Sequence, residues 1–262
     1  MTTSLLAPPR RTGLLARVNP VAQLAATIPL ALCVLAGLDV VSAGVALLGE
    51  FLFFAAAGLL NRRFWLRTLP VWIGAPLTGL SMMLYGQTSG EIFWQFGFAT
   101  ISEGSMAIAA ATVLRVLAVA LPAVVLFIGI DPTDFADALA QIVRLPARFV
   151  LGALAGLRLV GLFISDWRAM ELARRARGVA DTGKVKRFLG QAQALLVLAI
   201  RRGSKLATAM EGRGFGAPVE RTWARPSRLH PIDGVFMAGG VLLGATAVTV
   251  SMLVGSWNFV LG

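Results

Sequence analysis

Apolar runs about as long as a bilayer is thick recur along this chain, and they leave few folds open. A helix that crosses the hydrocarbon core needs about 20 mostly apolar residues. Residues 21–38 (VAQLAATIPLALCVLAGL), 40–60, 69–85 (LPVWIGAPLTGLSMMLY), 105–130 and 235–256 meet that need. Pro70 and Pro76 lie inside the third run. Proline is tolerated there because neighbouring helices and local adjustments satisfy the freed backbone groups. Hydrophobic residues make up 57% of the 262 and charged residues 14%, against about a quarter charged in a soluble domain. The expected fold class is therefore an all-α integral membrane protein with about five transmembrane helices.

The net charge of +11 would suit nucleic acid if it were spread over a soluble surface. It is not. Seven of the 24 Lys and Arg precede residue 131, and the other 17 lie between Arg144 and Arg228. The segment 86–104 has none and carries Glu91 and Glu103; the tail 257–262 has none either. Cytoplasmic loops are enriched in Lys and Arg. The reading is a cytosolic N-terminal tail over 1–18, a four-helix membrane region over 19–130, a cytosolic helical region over 131–232 and a final transmembrane helix over 233–262. This places the N-terminus in the cytosol and the C-terminus outside, in the plasma (inner) membrane, and accounts for the basic excess without nucleic acid. Arg10, Arg11 and Arg17 follow or flank Pro8-Pro9 with no small-residue cleavage site, so the tail does not read as a signal peptide.

Two stretches within 131–232 resemble spans: 149–164 (FVLGALAGLRLVGLFI) and 188–200 (FLGQAQALLVLAI). If both crossed, 165–187 would sit outside with seven bases and three acids, against the charge rule. They are read as long helices under or partly within the membrane face, packed on each other. Asp131 suits an N-cap, Pro132 the first helical position and Asp134 the first turn. Capping explains these acids better than a metal site shared with Asp137. Pro146 starts a second helix that ends at Gly178, a turn follows at Asp181, Thr182 and Gly183, and a third helix runs from about Val185 to Met210.

Both long helices end in Arg then Gly, as ELARRARG and AMEGRG, with the second Arg 36 residues after the first. Glycine ends helices because it accepts the left-handed conformation, and arginine complements the negative helix end. One such end is an ordinary cap. Two in succession suggest more, since guanidinium groups bind carboxylates in bidentate fashion and small neighbours let a helix end enter a groove. Two similar ends would address two copies of an acidic partner.

The remaining chemistry is sparse. A lone Cys33 and a lone His230 leave no basis for a disulfide framework or a His-based metal or catalytic site. Glu50 and Arg115 stand near the middle of their spans. Intramembrane ionisable groups are costly and usually pair, so an ion pair between them is expected, with a substrate or proton path as the alternative.

In order along the chain, Asn19-Pro20, DPTDFADAL, RLPARF, ELARRARG and SKLATAMEGRGFG followed by Arg221-Thr222 resemble the transmembrane (T, or EcfT-like) components of energy-coupling factor transporters, the CbiQ and BioN type. The resemblance covers about residues 19–255. It implies that Ala176, Arg177 and Gly178, and then Gly212, Arg213 and Gly214, are motifs that dock into two ABC-type ATPases. Gly212 stands where the family usually has Ala. The implied function is importer coupling without catalysis by this chain: partner ATPases hydrolyse ATP, and the helices pass the motion to a membrane S component that binds a vitamin or transition-metal ion. The chain itself has no GxxxxGK[ST] phosphate loop and no implied cofactor. A conventional ABC importer permease has one coupling loop, which leaves the second Arg-Gly step unexplained. A membrane enzyme of lipid metabolism would need clustered acids for a metal, and only the Asp131 group offers any.

Overall fold

The computed structural model describes residues 15, 17–86, 89–96, 99–127, 129–178, 183–217 and 222–257. Most of the 1–18 tail and the turn residues Asp181 and Thr182 lie outside the described residues, as does Arg221. The chain divides into two compact units, one over Pro132–Pro226 and one formed by the rest of the described chain.

The larger unit is a bundle of α1 (Pro20–Ala36), α2 (Val40–Ala56), α3 (Arg62–Tyr85), α4 (Glu103–Phe127) and, from the far end of the chain, a last helix Pro231–Val254. Local chemistry sets the starts. The Asn19 side chain accepts the Val21 N–H at 3.0 Å with Pro20 next in line. Asp39 accepts the Ser42 N–H at 2.6 Å. The last helix starts with Pro231 after His230, whose backbone N–H donates to Asp233 at 2.7 Å. These are N-caps that satisfy otherwise orphaned donors. The lone histidine thus sits at a helix cap. The last helix stops at Gly255, which is left-handed with φ +70°.

The helices pack α1 on the last helix, α3 on α4, and α2 on both α4 and the last helix. One core cluster joins Leu30, Val34, Ala43, Ala46, Ala118 and Ala247; a second joins Phe54, Phe64, Ala75, Leu117 and Leu121. Small residues dominate the first cluster, as they do where membrane helices approach closely. At Gly240 a side chain would come within 2.4 Å of the Ala26 carbonyl oxygen, so α1 and the last helix meet there only because Gly240 has none.

The second unit holds α5 (Pro132–Gln141), α6 (Ala147–Ala176) and α7 (Lys184–Glu211). The last helix of the chain is α8. Asp131 and Pro132 stand at the start of α5, as their types predict. The 30 residues of α6 make a rod of about 45 Å.

Three differences from the sequence expectations stand out. The segment 86–104, read as a loop, contains an antiparallel hairpin of β1 (Ile92–Phe96) and β2 (Ala99–Ser102). The third membrane helix starts at Arg62, ahead of the apolar run 69–85, so Arg62, Arg63 and Arg67 belong to α3. Among the described residues, three helices are long and apolar enough to cross a membrane: Glu103–Leu126, Ala147–Ala176 and Pro231–Val254. Two of these are among the five expected spans. The apolar helices α1 and α2 have 17 residues each, at the short end of what a bilayer accepts. The 24-residue α3, with its three arginines, is not among the three. The helix Ala147–Ala176, expected at the membrane face, is long and apolar enough to cross.

Candidate functional site

The two Arg-Gly ends adopt one geometry. Ala176 is the last residue of α6; Arg177 caps it, its N–H bonded to the Ala173 and Arg174 carbonyls at 3.2 Å. Gly178 follows with φ +70°, and its N–H reaches the Arg175 carbonyl at 3.1 Å. At the end of α7, Gly212 continues the helical path at φ −62°, ψ −18°. Arg213 precedes Gly214, which has φ +76°. The Gly214 N–H bonds to the Glu211 carbonyl at 2.9 Å and the Phe215 N–H to the Met210 carbonyl at 3.0 Å, which is a Schellman closure around the left-handed glycine. Each arginine is therefore the residue immediately before a left-handed glycine at a helix C-terminus. The glycines are required there, since an L side chain in that conformation costs about 1–2 kcal/mol.

Ala176, Arg177, Gly178, Gly212, Arg213 and Gly214 are all exposed. Neither Arg177 nor Arg213 forms an ion pair with a described residue. The nearby Glu171 is engaged elsewhere, at 2.6 Å from Arg175.

The helices α6 and α7 run antiparallel. Asp166 holds Arg202 through two contacts, one at 3.1 Å, and Trp167 meets Phe188 at a ring-centroid distance of 5.5 Å. Beyond the ion pair, Arg213, Met210 and Leu206 share a groove of about 980 Å³ with Leu151, Ala155 and Leu159 from the first half of α6. Arg177 is thus at one end of the pair and Arg213 at the other. Counting along α6 from Ala155 to Arg177 at 1.5 Å per residue, they stand roughly 30 Å apart. No residue of α6 is buried within the chain, and among the described side chains of α7 only Gln191 is.

Glu50 and Arg115 are not brought together. Both oxygens of the buried Glu50 carboxyl lack a hydrogen-bond partner. Arg115 donates to the Leu35 carbonyl, and Asp39 is the carboxylate that acts on it electrostatically. The expected pair fails because depth counted from each helix's own start ignores how the helices are staggered. Asp39, which stands between the apolar runs 21–38 and 40–60, also accepts from the Ser42 hydroxyl at 2.8 Å and from the Ser251 hydroxyl of α8 at 2.6 Å. Asp233 was missed as well. It is fully buried and takes the Asn19 N–H at 2.6 Å, tying the start of α1 to that of α8. An acid three residues after His230-Pro231 was the available signal, as a first-turn cap. Asp131, Asp134 and Asp137 form no metal-binding group among the described residues; Asp134 instead faces Arg225 at 4.0 Å.

The protein-family model CbiQ, described as a cobalt transport protein, matches residues 12–223. Similar proteins include the energy-coupling factor transporter transmembrane protein EcfT of Limosilactobacillus fermentum, 27% identical over 71% of this chain and 75% of that protein. The EcfT of Lactobacillus helveticus is 28% identical over 74% of each chain, and that of Brevibacillus brevis 25% identical over 81% of this chain and 82% of its own. With most of its length matched, and with an all-α membrane fold, the chain belongs to the CbiQ family of EcfT-type transmembrane components of energy-coupling factor transporters.

Proposed function

We propose that this chain is the coupling subunit of an energy-coupling factor importer, and that Arg177 and Arg213 each dock one ABC-type ATPase subunit. The observation that carries the reading is the pairing of two exposed, unpartnered arginines in the same helix-end geometry at opposite ends of one antiparallel pair. A single docking site would need one such end. Two equivalent ends about 30 Å apart suit two similar partners side by side. Closure of the ATPases would draw the two helix ends together and their separation would release them. The apolar side chains left open on α6 and α7, among them Leu157, Val160, Leu196 and Val197, would carry that motion to a membrane S component, which selects a vitamin or a transition-metal ion. The chain itself is the non-catalytic subunit, lies in the plasma membrane with its N-terminus in the cytosol and its C-terminus outside, and leaves ATP hydrolysis to its partners.

The test is purification of the tagged chain from native membranes in mild detergent, wild type beside Arg177→Ala/Arg213→Ala. Charge-assisted hydrogen bonds contribute about 1.5–3 kcal/mol, so each arginine should be worth roughly ten- to a hundredfold in ATPase affinity. The wild type should bring down ATPase and a small membrane protein, and the double variant should lose the ATPase. ATPase retained at wild-type levels by a folded double variant would overturn the docking role.

A further inference from the structure

Within the membrane bundle, α1, α2, α4 and α8 leave a cavity of about 510 Å³ between them. Its walls are apolar: Leu30 from α1, Phe53 from α2, Leu126 from α4, and Phe236 and Leu243 from α8. Among the described residues, one ionisable side chain enters this lining, and it is Glu50. Its residue is 3% exposed, yet neither carboxyl oxygen has a hydrogen-bond partner. A carboxyl buried without a partner forfeits its hydration and receives nothing in return. Such groups inside membranes usually mark a functional position. Arg115, the obvious counter-charge, donates instead to the Leu35 carbonyl. The cavity volume falls in the range of ligand sites, which combine apolar walls with a few placed polar groups. Val235 and Gly239 line it and remain exposed at its rim, and a side chain added at Gly239 would meet nothing within 4 Å.

We propose that this cavity binds a slender amphiphile, with the apolar chain between α1, α2, α4 and α8 and a hydrogen-bond-donating head, an amine or a hydroxyl, on the Glu50 carboxyl. The donor head supplies the partner that the protein withholds. An anionic head would instead bring a charge into the apolar cavity, where its desolvation is not repaid. The site does not depend on the docking of ATPases at Arg177 and Arg213, and its failure would leave that reading untouched.

The test uses the full chain in its native membranes and dicyclohexylcarbodiimide as a reporter of Glu50. The carboxyl O–H adds across one C=N bond: oxygen bonds to the central carbon and the proton goes to nitrogen. The acyl group then shifts from oxygen to nitrogen, giving an N-acylurea with no leaving group, located by peptide mass spectrometry. Labelling is expected at Glu50 in the wild type and should vanish in Glu50→Gln. Decylamine or decanol should slow it severalfold, whereas decanoate should not. Gly239→Phe should slow labelling and abolish protection by filling the rim. Gly44→Leu, on α2 with nothing within 4 Å of the added group and outside the cavity lining, should behave as wild type. The proposal is overturned if Glu50 is not labelled, if decanoate protects as well as the donors, or if Gly239→Phe labels and is protected like the wild type.

Discussion

The membrane bundle and the α5–α7 unit use the same residue types to opposite ends. In the bundle, Phe54 and Leu121 are 1% and 0% exposed, and they pack in one cluster with Phe64, Ala75 and Leu117. On α6 and α7, Leu157 and Leu196 are 59% and 60% exposed. A long helix that buries none of its own residues, as α6 does, gains little from packing inside its own chain. In water, apolar faces of this size mark surfaces that something else covers. The bundle therefore has a packed interior of its own, which the α6–α7 pair lacks. The polar groups divide the same way. In the bundle, Asp39 and Asp233 are buried and bonded to neighbouring helices. In the second unit, Arg177 and Arg213 are exposed and unbonded among the described residues.

The largest effect that would test this contrast is a pair of truncations. Phe54→Ala removes a fully packed ring and should lower the unfolding free energy of the detergent-purified chain by about 3–5 kcal/mol. Leu196→Ala, a truncation of an exposed side chain, should change it by no more than about 0.5 kcal/mol while weakening co-purification of the S component. Equal thermal shifts for the two variants would erase the contrast. A second measurement concerns Asp39. Asp39→Ala leaves the Ser42 N–H, the Ser42 hydroxyl and the Ser251 hydroxyl without their acceptor, at a cost of about 1–3 kcal/mol. Thermal unfolding should show the loss, and ATPase co-purification should survive in the folded fraction, because the damage lies in the bundle.

A smaller effect separates geometry from charge at the two Arg-Gly ends. Gly178→Ala and Gly214→Ala keep both arginines but put a Cβ into the left-handed conformation, at about 1–2 kcal/mol each. Uptake should fall in these variants with little change in the unfolding of the bundle; unchanged uptake would mean that arginine alone, not its placement, matters. The smallest effect is expected at Asp166–Arg202, a partly exposed ion pair. A double-mutant cycle with Asp166→Asn and Arg202→Gln should give a coupling of about 0.2–1 kcal/mol. A larger value would show that the α6–α7 pair is held from within after all.

Much of the helical outline was legible because local chemistry marks helix ends. Pro146 and the Arg-Gly step bounded α6 to within two residues, and α7 spans Lys184–Glu211 where Val185 to Met210 was expected. The equivalence of the two arginines was legible too, because a residue before a left-handed glycine takes its geometry from the few bonds that close the helix. The β1–β2 hairpin was not, since nine paired-strand residues beside long apolar runs give a weak alternation signal. The Glu50–Arg115 pairing failed for a different reason. Sequence position gives the depth of a residue along its own helix, and says nothing of its rotation about that helix or of the neighbour's offset.

The sequence by itself determined the membrane class, the helix ends and the two cationic caps, all of which depend on runs of apolar residues or on contacts within a few positions. Tertiary structure alone decided which acids meet which helices. Asp39 reaches Ser251 across 212 positions and Asp233 reaches Asn19 across 214. It also decided that Glu50 faces an apolar cavity with no partner. These outcomes depend on the stagger and rotation of packed helices, which arise from the summed fit of many small side chains such as Gly240 against Ala26 rather than from any local pattern.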